Sequence, residues 1–126
     1  MTSMASLMEE AKRLGVRVHL AHLDDPFLGL YDDAESRIYL RLGMPMAEVK
    51  ETLAHELAHA YYRHPCSSGP HERNADRRGA WLLVDPDAYA AAERISSDVW
   101  FIAEELGLTP SVVENYQRYW LDSRAI

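Results

Sequence analysis

Residues 55–59 read His-Glu-Leu-Ala-His, and this pentapeptide limits the fold more than any other feature of the chain. Two histidines four positions apart stand one above the other on an α-helix, where 3.6 residues per turn leaves them about 40° apart. The stretch from Met44 to about Tyr62 is therefore expected to be a long helix with two different faces. With Leu53 as the origin of a helical wheel, Val49, Leu57 and Ala60 fall within about 40° of it and form an apolar stripe. His55 and His59 fall near about 200° and 240°, with Glu48, Thr52 and Tyr62 on the same side. The histidines thus face away from the core, where a cleft can form.

The pattern is an H-E-x-x-H match. Two imidazoles so placed can bind one zinc ion, and the intervening Glu56 is rotated to one side, where it can act as a base toward water that zinc acidifies. Such a site needs a third protein ligand and keeps one position open. His64 is one candidate, one residue short of the H-E-x-x-H-x-x-G-x-x-H spacing, with Tyr62 at the glycine position. His71 is a second. Glu72 is the third and is preferred, because it can approach from the next helix and complete a His-His-Glu set. Ala75 and Gly79, on the face that Glu72 shares, are small enough for the two helices to pack closely. Asp76, one turn beyond Glu72, is placed to accept a hydrogen bond from the free ring nitrogen of His55 or His59 and so fix its tautomer. For a donor to a developing oxyanion, Tyr31, Tyr39, Tyr62, Arg63 and His71 are all candidates, and the sequence does not choose among them.

The rest of the chain predicts an α+β fold. Residues 3–14 form an amphipathic helix between Ser3 as N-cap and Gly15 as stop. Residues 16–23 alternate as a strand, with Val16, Val18 and Leu20 on one side. Residues 27–31 and 37–42 form a β-hairpin around the polar turn 32–36, giving a small, mostly antiparallel three-stranded sheet. Arg37–Leu42 is expected at a sheet edge, where an extended substrate could add as a further strand. Residues 63–70 form a loop. Helices follow over His71–Val84, Asp87–Ser96, Ser97–Leu106 and Pro110–Leu121, the last with Thr109 as N-cap and proline at its first position. Trp81, Trp100, Phe101, Tyr116, Tyr119 and Trp120 recur at helical spacing and are expected in the core.

Length and charge bound the rest. A chain of 126 residues fits one domain, here residues 1–126, with one modest core. The net charge of −7 argues against general affinity for nucleic acid or anionic membranes. One cysteine, Cys66, excludes an internal disulfide framework and favours a reducing compartment. The first residues do not read as a signal peptide, and no run is long and apolar enough for a membrane span. A cytoplasmic protein is expected. Residues 97–121, with a Leu-Gly-Leu-Thr turn, read like a helix-turn-helix. The charged residues of its second helix are Glu114, Arg118, Asp122 and Arg124, a poor match to a phosphate backbone, so a C-terminal cap is the preferred reading.

The combination HELAH, a short gap, then ERNADRRGAWLLV resembles the ImmA/IrrE metallopeptidases of bacteria and their mobile elements. His55, Glu56 and His59 match that family's first motif. Glu72 and Ala75 match its Glu-x-x-Ala-Asn-like second motif, with Asp76 where Asn is common. Val84-Asp85-Pro86 replaces the usual Met-Pro, and Gly79 stands where alanine is more usual. The resemblance is specific over residues 49–84. It implies a minimal zincin-like, gluzincin-like domain holding one zinc ion per chain. It also implies a peptidase that cleaves a partner regulator, in particular a transcriptional repressor of a phage, mobile element or stress response. The alternatives are a non-catalytic zinc-containing module that binds a repressor, and a helix-turn-helix DNA-binding protein.

Overall fold

The computed structural model describes residues 3–66 and 68–121; Asp122 and Arg124, assigned above to the last helix, lie outside them. A first helix, α1 (Met4–Leu14), leads into strands β1 (Arg17–Ala21), β2 (Gly29–Asp32) and β3 (Arg37–Arg41). Helices α2 (Met46–Tyr62), α3 (Gly69–Leu83), α4 (Pro86–Ile95), α5 (Val99–Leu106) and α6 (Pro110–Tyr116) follow, and the chain continues through a π-helical turn at Gln117–Leu121. The α+β class expected from the sequence is what the chain adopts, with each element within a few residues of its expected place.

The termini of α1 follow local chemistry. Ser3 Oγ accepts the Ser6 N–H at 3.2 Å, and Gly15, at φ 72°, closes the helix in the left-handed conformation that glycine adopts without a Cβ clash. Leu7 and Ala11 face inward, and Glu10 is buried beside them with Arg13 and Arg78 as its ion partners.

The sheet is mixed, with strand order β1-β3-β2. The β2–β3 hairpin is antiparallel, as expected, and β1 pairs with β3 in parallel from Arg17↔Arg37 to Ala21↔Arg41. β3 is therefore the central strand. The expectation that Arg37–Leu42 lies at an edge is overturned, because β1 occupies one side of it and β2 the other. The edge beside the cleft is β2. Ile38 and Leu40 are buried in the core, whereas Leu20, the register partner of Leu40 on the outer strand β1, is exposed. The helical layer covers the middle of the sheet and leaves that corner open.

Helix α2 carries the expected stripe, with Leu53, Leu57 and Ala60 buried and Val49 packed at the margin. A second buried strip, Ala54 and Ala58, faces α3. The α2–α3 contact is the most extensive between any two helices. Ala75 is fully buried, and a Cβ on Gly79 would stand 3.6 Å from the Ala54 carbonyl carbon and the His55 nitrogen, so the two backbones run close. Helix α3 begins two residues earlier than expected because Ser68 Oγ caps it, accepting the His71 N–H at 3.3 Å.

The C-terminal helices close the core from one side. Val112, Val113 and Tyr116 of α6 are buried, and α6 packs on α3 and α5. Thr109 caps α6 as expected. The aromatic series divides: Tyr116 is buried and Phe101 and Trp120 pack at the core margin, but Trp81 and Trp100 are exposed. Helical spacing placed them on outward faces, because Ala75, Gly79, Ala80 and Leu83 are the inward positions of α3, and Ile102, Ala103 and Leu106 those of α5. No described helix is long and apolar enough to cross a membrane.

Candidate metal centre

Three side chains converge where α2 meets α3. His55 Nε2 lies 2.8 Å from Glu72 Oε2, His59 Nε2 lies 3.0 Å from Glu72 Oε1, and the two Nε2 atoms are 3.2 Å apart. A tetrahedral zinc with bonds of 2.0–2.1 Å would hold its donor atoms about 3.3 Å from one another. The observed separations approach that spacing, and the donor types are those that zinc takes. His55, His59 and Glu72 form a group that could hold a metal ion.

The helix period brings the two histidines together, and the close α2–α3 approach at Ala75 and Gly79 brings Glu72 to them. Asp76 falls where the sequence placed it, with its Oδ1 3.1 Å from His55 Nδ1. With His55 Nε2 directed at an ion, its Nδ1–H donates to Asp76. His64 and His71, the alternative third ligands, are not part of the converging group. His64 instead lies behind His59, Nδ1 to Nδ1 at 2.8 Å.

Glu56 lines the same cleft and is only 8% exposed. Burial pushes its carboxyl up to about 7, with the neighbouring His55 charge pulling against the rise and Glu72 adding to it. A carboxylate poised near neutrality is suited to taking and returning a proton. Burial opposes the charge of His55 as well. The hydrogen bond to Asp76 and the charges of Glu56, Glu72 and Asp76 outweigh it, raising His55 to about 9 in the metal-free protein. His59 is shifted the other way by burial and by the His55 charge, against the pull of Glu72.

The cleft has a volume of about 580 Å³. One wall is α2, from Glu48 to His59, and the other is the segment from Pro26 to Tyr31. Gly29 keeps these walls close. A Cβ there would stand 2.5 Å from Thr52 Cγ2 and 3.2 Å from Glu56 Cγ, so any side chain would force β2 away from Glu56. Sequence reasoning missed Gly29; the signal that marks it is a glycine at the start of a strand, where a close backbone approach is one of the few reasons to give up a side chain.

Of the five candidate oxyanion donors, Tyr31 alone lines the cleft. Its hydroxyl donates to Asp33 Oδ1 at 2.6 Å, and Arg63 Nε donates to the same oxygen at 3.2 Å. Burial, together with the hydrogen bond and charge of Asp33, pushes Tyr31 up to about 12 against the opposing charge of Arg63, so it remains a donor. Tyr39 stacks on His19, its ring centroid 5.5 Å away, on the outer face of the sheet, because it alternates with the inward-facing Ile38 and Leu40. Tyr62 and Arg63 are exposed at the end of α2. His71 stacks on His64, and its Nδ1 lies 2.9 Å from the Cys66 carbonyl oxygen.

Comparison with protein-family models, with curated proteins and with solved structures gave no match.

Proposed function

We propose that this chain is a zinc-dependent endopeptidase that hydrolyses a peptide bond in a partner regulatory protein, a transcriptional repressor of a mobile element or of a stress response. The observation that carries the reading is the approach of His55, His59 and Glu72 to one point within 3.2 Å of each other, in a cleft that also holds the buried carboxyl of Glu56. The likeness of residues 49–84 to the ImmA/IrrE motifs supports the choice of a repressor as substrate.

In this reading His55, His59 and Glu72 bind one zinc ion per chain. Zinc supplies Lewis-acid activation of water and of the scissile carbonyl. Glu56 accepts a proton as the water oxygen attacks the carbonyl carbon. It returns that proton to the leaving nitrogen as the C–N bond breaks. Asp76 holds the His55 ring in the tautomer that leaves Nε2 bare. Among the described residues β2 pairs on one side only, so an extended peptide can run along its free side past Glu56, in the way first expected of Arg37–Leu42. The lone Cys66 favours a cytoplasmic site of action. Helix α6 turns Val112, Val113 and Tyr116 inward, which favours a cap over a DNA-reading helix.

The test is metal content by elemental analysis of the wild type beside His55→Ala, Glu72→Ala and Glu56→Gln, with hydrolysis of candidate repressors followed in parallel. One zinc per chain is expected in the wild type and in Glu56→Gln and is lost in the other two, and Glu56→Gln no longer cleaves. A Glu56→Gln variant with undiminished biological activity would replace the peptidase with the non-catalytic, repressor-binding module.

A further inference from the structure

The end of α2 is built so that the histidine after it lands on a histidine within it. Arg63 takes a left-handed conformation, φ 54° and ψ 47°, and its N–H donates to the Ala60 carbonyl at 3.1 Å. The next N–H, that of His64, reaches back to the His59 carbonyl at 3.0 Å. This pair of bonds folds the residue two places past a helix end over the residue three places before it. At helix ends of this kind the contact so made is frequently hydrophobic. Here it joins two imidazoles, with His59 Nδ1 2.8 Å from His64 Nδ1.

The surroundings hold the second ring in place. His64 is 8% exposed. Tyr62 stacks on it with ring centroids 5.1 Å apart and planes 12° apart, and His71 stacks at 4.0 Å and 14°. His71 is itself fixed through Nδ1 at the Cys66 carbonyl oxygen, 2.9 Å away.

From this geometry we infer that His64 is a positioning residue of the metal centre: its bare Nδ1 accepts the Nδ1–H of His59 and so presents His59 Nε2, unprotonated, to the ion. The inference rests on the metal-centre reading and extends it. A bond of 2.8 Å between two ring nitrogens needs one proton between them, since two lone pairs repel and two N–H groups collide. His59 Nε2 must be bare to bind a cation, which places that proton on His59 Nδ1 and leaves His64 as acceptor. Asp76 does the same for His55. The two ligand histidines are thus held by different chemistry: His55 by an anion that strengthens it as a donor, His59 by a neutral ring that orients it and adds no charge.

The test is zinc affinity, by competition with a chromophoric chelator, for the wild type, His64→Ala, His64→Leu and His64→Asn. Asparagine places an oxygen acceptor where Nδ1 stands, while leucine fills the space without one. Loss of the acceptor is expected to weaken zinc binding about 10- to 100-fold in the Ala and Leu variants, with Asn within about threefold of the wild type. Equal affinity in all four, or an Asn variant as weak as Leu, overturns the inference while zinc binding by the wild type upholds the metal centre. A wild type that takes up no zinc overturns both. If the substituted chains do not fold, the ring nitrogens of the zinc-loaded wild type decide by ¹⁵N NMR. A protonated His59 Nδ1 facing a bare His64 Nδ1 is expected, and a proton on His64 Nδ1 overturns the inference.

Discussion

Gly29 and Thr52 touch so closely that a single added carbon would not fit: a Cβ on Gly29 would stand 2.5 Å from Thr52 Cγ2. The contact sets how near the edge strand runs to α2, and hence the width of the cleft at Glu56. Gly29→Ala is expected to cost about 1–3 kcal/mol of stability, as overpacked sites do, and to lower hydrolysis by widening the cleft. Thr52→Ser removes the obstructing methyl group, so Gly29→Ala combined with Thr52→Ser recovers most of the loss. Chemical denaturation of the two single variants and the double variant checks this, and a strictly additive double variant contradicts it.

Tyr31 lines the cleft on the wall opposite α2, and its one O–H, given to Asp33 in this structure, would have to turn from that oxygen to reach a substrate carbonyl. If it supplies the oxyanion contact, Tyr31→Phe lowers kcat about 100- to 1,000-fold with little change in KM, as loss of one such donor does elsewhere. Steady-state kinetics on a cleaved peptide gives the split. A rise in KM with kcat unchanged would assign Tyr31 to substrate binding instead.

The charges around His55 give the metal-free protein a pH dependence whose sign can be stated. His55 is raised to about 9 from 6.5, and Glu56 to about 7 from 4.5. A raised value means that the folded state holds its proton more tightly than the unfolded state. The stability this supplies is complete below the unfolded value and is lost as pH rises through the folded one. Glu56 acts between about pH 4.5 and 7 and His55 between about pH 6.5 and 9, both in the same direction, so the metal-free chain becomes less stable on going alkaline and above pH 7 the fall is that of His55. The lowered value of His59 works in the opposite direction only below its unfolded value of 6.5. Thermal melting in a chelator at pH 6.5, 7.5 and 9 tests this, and His55→Gln should flatten the fall. Zinc uptake displaces the His55 proton and is expected to strengthen over the same range.

Much of this was legible in the sequence because it is local. The caps at Ser3 and Thr109 follow from side chains that bond to backbone a few residues away, and the stop at Gly15 from a residue free of a Cβ clash in the left-handed conformation. The His55–His59 pair and the Glu72–Asp76 pair follow from the helix period. What was not legible depends on partners distant in sequence or on backbone turns that side chains do not announce. Alternation in residues 16–23 shows a strand but not that it pairs in parallel with β3. Helical spacing puts Trp81 on one face of α3 and Trp100 on one face of α5 but does not show which way those faces look. His64 read as a spare ligand because the left-handed turn before it is made by an arginine, where glycine or asparagine is the usual sign.

Every ligand of the proposed centre, with the groups that orient it, comes from α2, α3 and the short segment between them. His59 and Glu72 are only thirteen positions apart, and His55 and Glu72 seventeen. An ion there would clasp a pair of helices adjacent in the chain and would leave the sheet untouched. Closing so short a loop costs little chain entropy, and doubling it would add only about 0.6 kcal/mol. The clasp can therefore form before β1 has found β3. Metal uptake would then belong to the early history of each newly made molecule, and amide hydrogens of α2 and α3 would be the first that zinc protects from exchange.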